Sequence, residues 1–229
     1  MKNKDKINQY CSYFEEQINK ITKIEDHLYQ KILLVTIFDT FARSVYPEKK
    51  NRDRFIKFTE EYSAWTGGNR ISIPQLLFLL QQKDRSCDSI LMKEVKTQLE
   101  KYQSGNIYRL DKDPSPDDIS SIKTIDNEMK LIKSSRHVEL FYIYRTYLVH
   151  EFREPGYGMS ISNDNITPYY HGMDDLHGNN TWELVYPIGF FRNIVKCSLL
   201  NLRKYLEEND IDPYLSYEFS SIWYQNRRG

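Results

Sequence analysis

The apolar run at 138–152 (VELFYIYRTYLVHEF) constrains this chain more than any other stretch. It carries one arginine and one histidine and is followed by Pro155-Gly156. A helix that is apolar almost all round is normally buried, and proline followed by glycine marks an end, so the run predicts a central helix reaching about Arg153. Arg145 and His150 fall in its last turns. Buried cationic and titratable groups cost free energy unless they are paired or face a wet cleft, so both residues need a reason to be there.

The rest of the chain reads as further helices. Ile7, Tyr10, Cys11, Phe14, Ile18 and Ile21 recur at three or four residues and predict a helix over 7–21. Leu28, Ile32, Val35, Phe38 and Ala42 predict a second over 24–45, ending before Pro47. Others are expected over 52–65 (closed by Gly67-Gly68), 72–83 (capped by Ser72, with Pro74 in its first turn), 90–102, 188–206 and 214–224. The stretch 105–121 is a polar, turn-rich connection in which Asp117 and Asp118 open a helix, and from about 122 the chain builds into the central helix. The segment 154–180, rich in Gly, Asn, Asp and Ser, predicts a short hairpin pairing 167–170 with 182–186. The expected fold is therefore mostly all-α, a helical bundle in one domain over 1–229, with a small β-hairpin insertion at about 154–186.

Charge narrows the function classes. Lys+Arg and Asp+Glu balance at 32 each, so no global field draws in nucleic acid and any RNA-binding surface must be a local patch. The polar run 47–54 can touch phosphates or simply be a solvated loop. No apolar stretch is long enough to span a membrane and the N-terminus is polar, so no membrane partner and a cytoplasmic location are expected. Cys11, Cys87 and Cys197 are odd in number and far apart, which points to reduced thiols. Eighteen tyrosines and 11 phenylalanines suggest a core, or a groove, built with rings. Gly67-Gly68-Asn69-Arg70 lacks the lysine and hydroxyl residue of a phosphate-binding loop. His171, Asp174, Asp175 and His177 have metal-binding side chains at a spacing that matches no metal motif, so neither metal nor cofactor is expected.

Four residues separate Arg145 from His150, and this Arg-x4–6-His spacing near the end of an apolar helix resembles the HEPN superfamily of small all-α proteins, many of them metal-independent ribonucleases. The resemblance covers about 138–152 at the level of residues and elsewhere only the helical character. It implies a homodimer in which both motifs line one cleft, RNA as partner, and a toxin, anti-phage or stress setting with an antitoxin or other regulatory partner. It makes Arg145 and His150 catalytic, with Thr146, Tyr147, Arg153 and Tyr157 as neighbouring substrate contacts and Asp39 and Glu151 in support. An imidazole, with an unperturbed pKa of about 6.5, can take a proton from a ribose 2′-OH or give one to the leaving 5′-oxygen. A guanidinium offers a planar fork of donors to the phosphate.

Two departures stand out. Thr146 occupies a place often held by Asn, Asp or His, and Phe152 stands where the toxin branch commonly carries a modifiable tyrosine, which excludes regulation through that hydroxyl. Structural readings of the same residues also stay open. Asp39 can orient the Arg145/His150 pair or form an ion pair with Arg43 one turn on. Arg145 and Arg153 can pair with Glu139, Glu151 or Glu154, and His150 can be a satisfied core histidine. A HEPN-like domain can also be a non-catalytic RNA-binding, protein-interaction or dimerisation module, with Tyr147 and Tyr157 stacking bases. In a straight α-helix the Cα atoms of residues 145 and 150 lie roughly 7.5 Å apart and about 140° round the axis, so the arginine must bend to share a groove with the histidine.

Overall fold

The computed structural model describes residues 3–83, 89–102, 107–120, 122, 126–156, 165–174 and 180–215. Five helices build the larger core: α1 (Asn3–Ile21), α2 (His27–Val45), α3 (Asn51–Tyr62), α8 (His137–Thr146) and α9 (Ile188–Glu208). Asp26 starts α2 by accepting from the backbone N–H groups of Leu28 and Tyr29, two of the donors a helix start leaves orphaned. Phe141 of α8 is fully buried, and its ring centroid lies within 6.2 Å of those of Phe38, Phe55, Trp65, Tyr186, Phe190 and Phe191. Truncating a phenylalanine so enclosed costs about 3–5 kcal/mol, so Phe141 anchors α8 in this core.

A second core joins α4 (Ile73–Lys83), α5 (Ile90–Leu99), the short helices α6 (Pro116–Ser120) and α7 (Asp126–Ser134), and a three-stranded antiparallel sheet. The sheet order is β1 (Ile107–Arg109), β2 (Tyr169–Asp174), β3 (Asn180–Val185), with Tyr169 opposite Val185 and Ile107 opposite His171. The chain is thus mostly α-helical with a small sheet, as the sequence leads one to expect. The hairpin extends past 167–170 to Asp174, and β1 comes from the stretch that reads as a mere connection. A buried network lies just beyond β1. The Asp113 carboxylate takes hydrogen bonds from the Tyr102 and Tyr170 hydroxyls and from His137 Nε2, which ties the turn after α5, β2 and the start of α8 together.

Two expectations need correction. The long helix building from 122 is broken at Ser135 and Arg136, where Arg136 bridges to Ile71. The backbone N–H groups of His137 and Val138 donate to the Arg70 and Gly68 carbonyls, at 3.0 and 2.7 Å. Consequently the Gly68 and Arg70 carbonyls cap α8, and Gly67-Gly68 does not end α3, which stops at Tyr62, two residues before Ala64 at φ 56. A Cβ at Gly68 would meet the Trp65 ring at 3.2 Å, a tight approach. The region expected to hold the last helix, 214–224, lies mostly outside the described residues.

Candidate active site

The site sits where α8 meets α2 and α3. At Thr146 the α-helix gives way to a π-helical turn, Tyr147–Glu151, in which the Phe152 N–H reaches the Tyr147 carbonyl five residues back. Phe152 then ends the helix in the left-handed region at φ 55, a conformation rare for an aromatic residue. Hydrogen bonds five residues apart widen the turn, so groups at i and i+5 stack one above the other instead of diverging. Arg145 and His150 are five apart. Their side chains meet: Arg145 Nη1 lies 3.3 Å from His150 Nε2.

Arg145 is held from the other side by Asp39 of α2. Its Nε donates to Asp39 Oδ2 at 2.7 Å and its Nη2 donates to the same oxygen. The arginine side chain is 13% exposed and the aspartate 25%, so the pair is mostly out of water, whereas His150 opens to solvent. Burial pushes the Asp39 carboxyl above the usual carboxylate range, although the Arg145 guanidinium pulls it down. Burial also pushes the Arg54 guanidinium of α3 down, with Arg43 adding to the effect, Asp39 opposing it and Arg145 reinforcing it. Arg145 and Arg54 therefore act on one carboxylate, with Arg43 near Arg54, a local positive patch on a chain whose net charge is zero.

Of the open alternatives for Asp39, the ion pair with Arg43 is not what forms: the carboxylate binds Arg145 across the helix interface. Glu139 takes Arg52 and Arg136 instead of Arg145. Arg153 pairs with Glu151 on the surface and lies over the Tyr147 ring, 4.5 Å from its centroid. That removes Glu151 from direct support of His150 and puts Arg153 and Tyr147 on one exposed shelf beside it. Thr146 spends its hydroxyl on the Tyr142 carbonyl. Tyr157 lies outside the described residues. So do Asp175 and His177, and among the described residues no group of three or more His, Cys, Asp or Glu is placed to hold a metal ion.

No family model, curated protein or solved structure matches this chain.

Sequence reasoning missed three residues at the site. Arg54 lies in a run that reads as a solvated loop, and Arg43 reads as a partner for Asp39. The third is Lys31, whose ammonium is 2% exposed and donates to Glu154 Oε2 at 2.7 Å, while the Tyr144 hydroxyl donates to the same oxygen. This staple fixes the chain three residues after the π-helical turn. A signal for it exists: Lys31 falls on the buried stripe Leu34, Val35, Phe38 of α2, where a cation requires an internal partner. Among the described residues no helix is long and apolar enough to cross a membrane.

Proposed function

We propose that this protein is a metal-independent endoribonuclease of HEPN type, cutting RNA through attack of a ribose 2′-OH on the adjacent phosphate. The observation that carries the reading is the relay Asp39–Arg145–His150, ending in a solvent-exposed imidazole. A guanidinium N–H can only donate, so in this contact His150 Nε2 is the acceptor, and a 2′-OH that takes the guanidinium's place there meets a nitrogen able to receive its proton. His150 takes the 2′-OH proton as the oxygen attacks phosphorus, and the 5′-oxygen leaves with a proton, giving a 2′,3′-cyclic phosphate. Arg145, with Arg54 and Arg43 nearby, stabilises the negative charge that builds on the phosphoryl oxygens. Tyr147 and Arg153 form a surface on which a neighbouring base stacks.

One imidazole serves best as base or as acid, and a two-fold axis supplies the other. Tyr29 and Leu33, exposed by 48% and 41%, lie on the outward stripe of α2 that continues to Thr36, Thr40 and Arg43. Phe152, 57% exposed, places its ring 5.5 Å from that of Tyr29. An apolar patch running into the rim of the cleft supports a homodimer with the two clefts joined.

The test is RNA cleavage in the presence of a chelator. Cyclic-phosphate products from RNA, none from DNA, and loss of cutting in His150→Ala are expected. Continued cutting by His150→Ala removes the imidazole from the mechanism, and RNA that is bound but never cut makes the protein a binding module.

A further inference from the structure

A cavity of about 320 Å³ lies near the start of α8, walled by the loop between α3 and α4, by the end of β1 with the turn after it, and by the chain leading into β2. The loop's Arg70 carbonyl caps His137, and Arg145 stands eight residues further on, about 12 Å along the axis of α8, so the cavity is separate from the cleft. Its described lining is mostly polar, with Arg70, Arg109, Asp111, Asn165 and Thr167 in it. These charges are not spent on one another. Among the described residues Arg109 and Asp111 form no ion pair and no side-chain hydrogen bond, and Arg70 uses one N–H, on the Asp113 carbonyl. Trp65 adds a donor: its indole Nε1–H has no acceptor among the described residues, and Gly67 leaves that nitrogen uncovered, since a Cβ there would stand 3.0 Å from it. Asn165 Oδ1 accepts from the Thr167 N–H at 3.3 Å, which leaves the amide nitrogen and the Thr167 hydroxyl for a ligand.

We infer that this cavity binds a phosphorylated sugar, either free or as part of a mononucleotide. Two guanidinium groups against one carboxylate leave a net positive charge in the described lining, and their forked N–H donors match phosphate oxygens. The carboxylate decides what else the ligand carries. For a bare anion Asp111 would only weaken the site, whereas adjacent sugar hydroxyls need such an acceptor. Asn165, Thr167 and the Trp65 indole supply further donors for ring and bridging oxygens. An apolar ligand would strip water from all these groups and leave them unpaired, which costs affinity. The volume is at the small end of ligand cavities, which run roughly 300–1,000 Å³, so it takes one sugar phosphate and not a strand of RNA.

Calorimetry on the full chain at constant ionic strength compares ribose 5-phosphate, adenosine 5′-monophosphate, the 2′,3′-dideoxy form of that nucleotide, and inorganic phosphate. The two ribose ligands are expected to bind, with the dideoxy nucleotide and inorganic phosphate weaker by about tenfold or more. Tighter binding of adenosine monophosphate assigns the site to nucleotides; equal or tighter binding of ribose 5-phosphate assigns it to free sugar phosphates. Arg109→Ala, at an exposed position whose side chain bonds none of the described residues, should weaken both by about 10- to 100-fold. Asp111→Ala should weaken the ribose ligands and tighten inorganic phosphate. Arg54→Ala, at the cleft, should move neither value, so the outcome is independent of the nuclease reading. The inference is overturned if neither ribose ligand binds at millimolar concentration or if inorganic phosphate or the dideoxy nucleotide binds as tightly. It is equally overturned if Arg54→Ala abolishes a binding that folded Arg109→Ala retains.

Discussion

Replacing Asp39 by leucine isolates the link on which the active-site reading depends. The substitution removes a carboxylate that accepts two hydrogen bonds from Arg145 and leaves behind a guanidinium only 13% exposed. Breaking a fully buried ion pair from one side costs 3–5 kcal/mol, and an exposed pair contributes about 0–1 kcal/mol. With Asp39 a quarter exposed, the intermediate figure of about 2 kcal/mol applies, or roughly 4–8 °C in Tm for a chain of this size. Adding Arg145→Met should recover most of that loss, because the double variant leaves no orphaned charge. Burial already raises the Asp39 carboxyl against the pull of Arg145, a sign that the pair confers little net stability. Activity should behave oppositely: cleavage falls by 10- to 100-fold or so in Asp39→Leu, about 1.4–2.7 kcal/mol of barrier, and is not restored in the stable double variant. Thermal unfolding and initial cleavage rates on the two single variants and the double one decide the matter. Strictly additive losses of stability, or a double variant that cuts RNA normally, would refute the reasoning.

Lys31→Met should cost about 3 kcal/mol by leaving Glu154 without its cation, and Lys31→Met with Glu154→Gln should regain most of it in urea melts. Burial depresses the Lys31 ammonium, so its contribution is full above the unfolded value of about 10.4 and is lost as pH falls through the folded one; the stability gap to Lys31→Met should narrow from alkaline to neutral pH. Arg43→Ala and Arg54→Ala should each weaken RNA binding for every sequence tested and flatten the log–log salt dependence of binding by about 0.7, measured by fluorescence anisotropy. Burial pushes the Cys11 thiol up to about 11, so at pH 8 a soluble alkylating reagent should label half-buried Cys197 and spare Cys11 until the protein unfolds.

Much of the fold is written in local patterns. Helices α1, α2, α4 and α9 follow from apolar residues recurring at three or four positions, and Ser89 and Asp26 cap helices as short polar side chains do. Strand β1 has no such signature, since three residues carry no period and become a strand only by pairing with Tyr169, Tyr170 and His171. The break between α7 and α8 is equally silent, because carbonyls from 68–70, far away in sequence, satisfy the N–H groups it exposes. Gly67-Gly68 reads correctly as a special backbone site and wrongly as the end of the preceding helix.

Sequence alone determined that Arg145 and His150 would share the end of one apolar helix, because helical periodicity and the Pro155-Gly156 stop are properties of neighbouring residues. Only the tertiary structure decided that they touch, through a widened last turn that no periodicity encodes, and that Asp39 reaches across from another helix to hold the arginine. Local steric preferences propagate along the chain and can be read there. Which charge faces which is set by the packing of α2, α3 and α8, where the cost of burying an unpaired ion selects the partner.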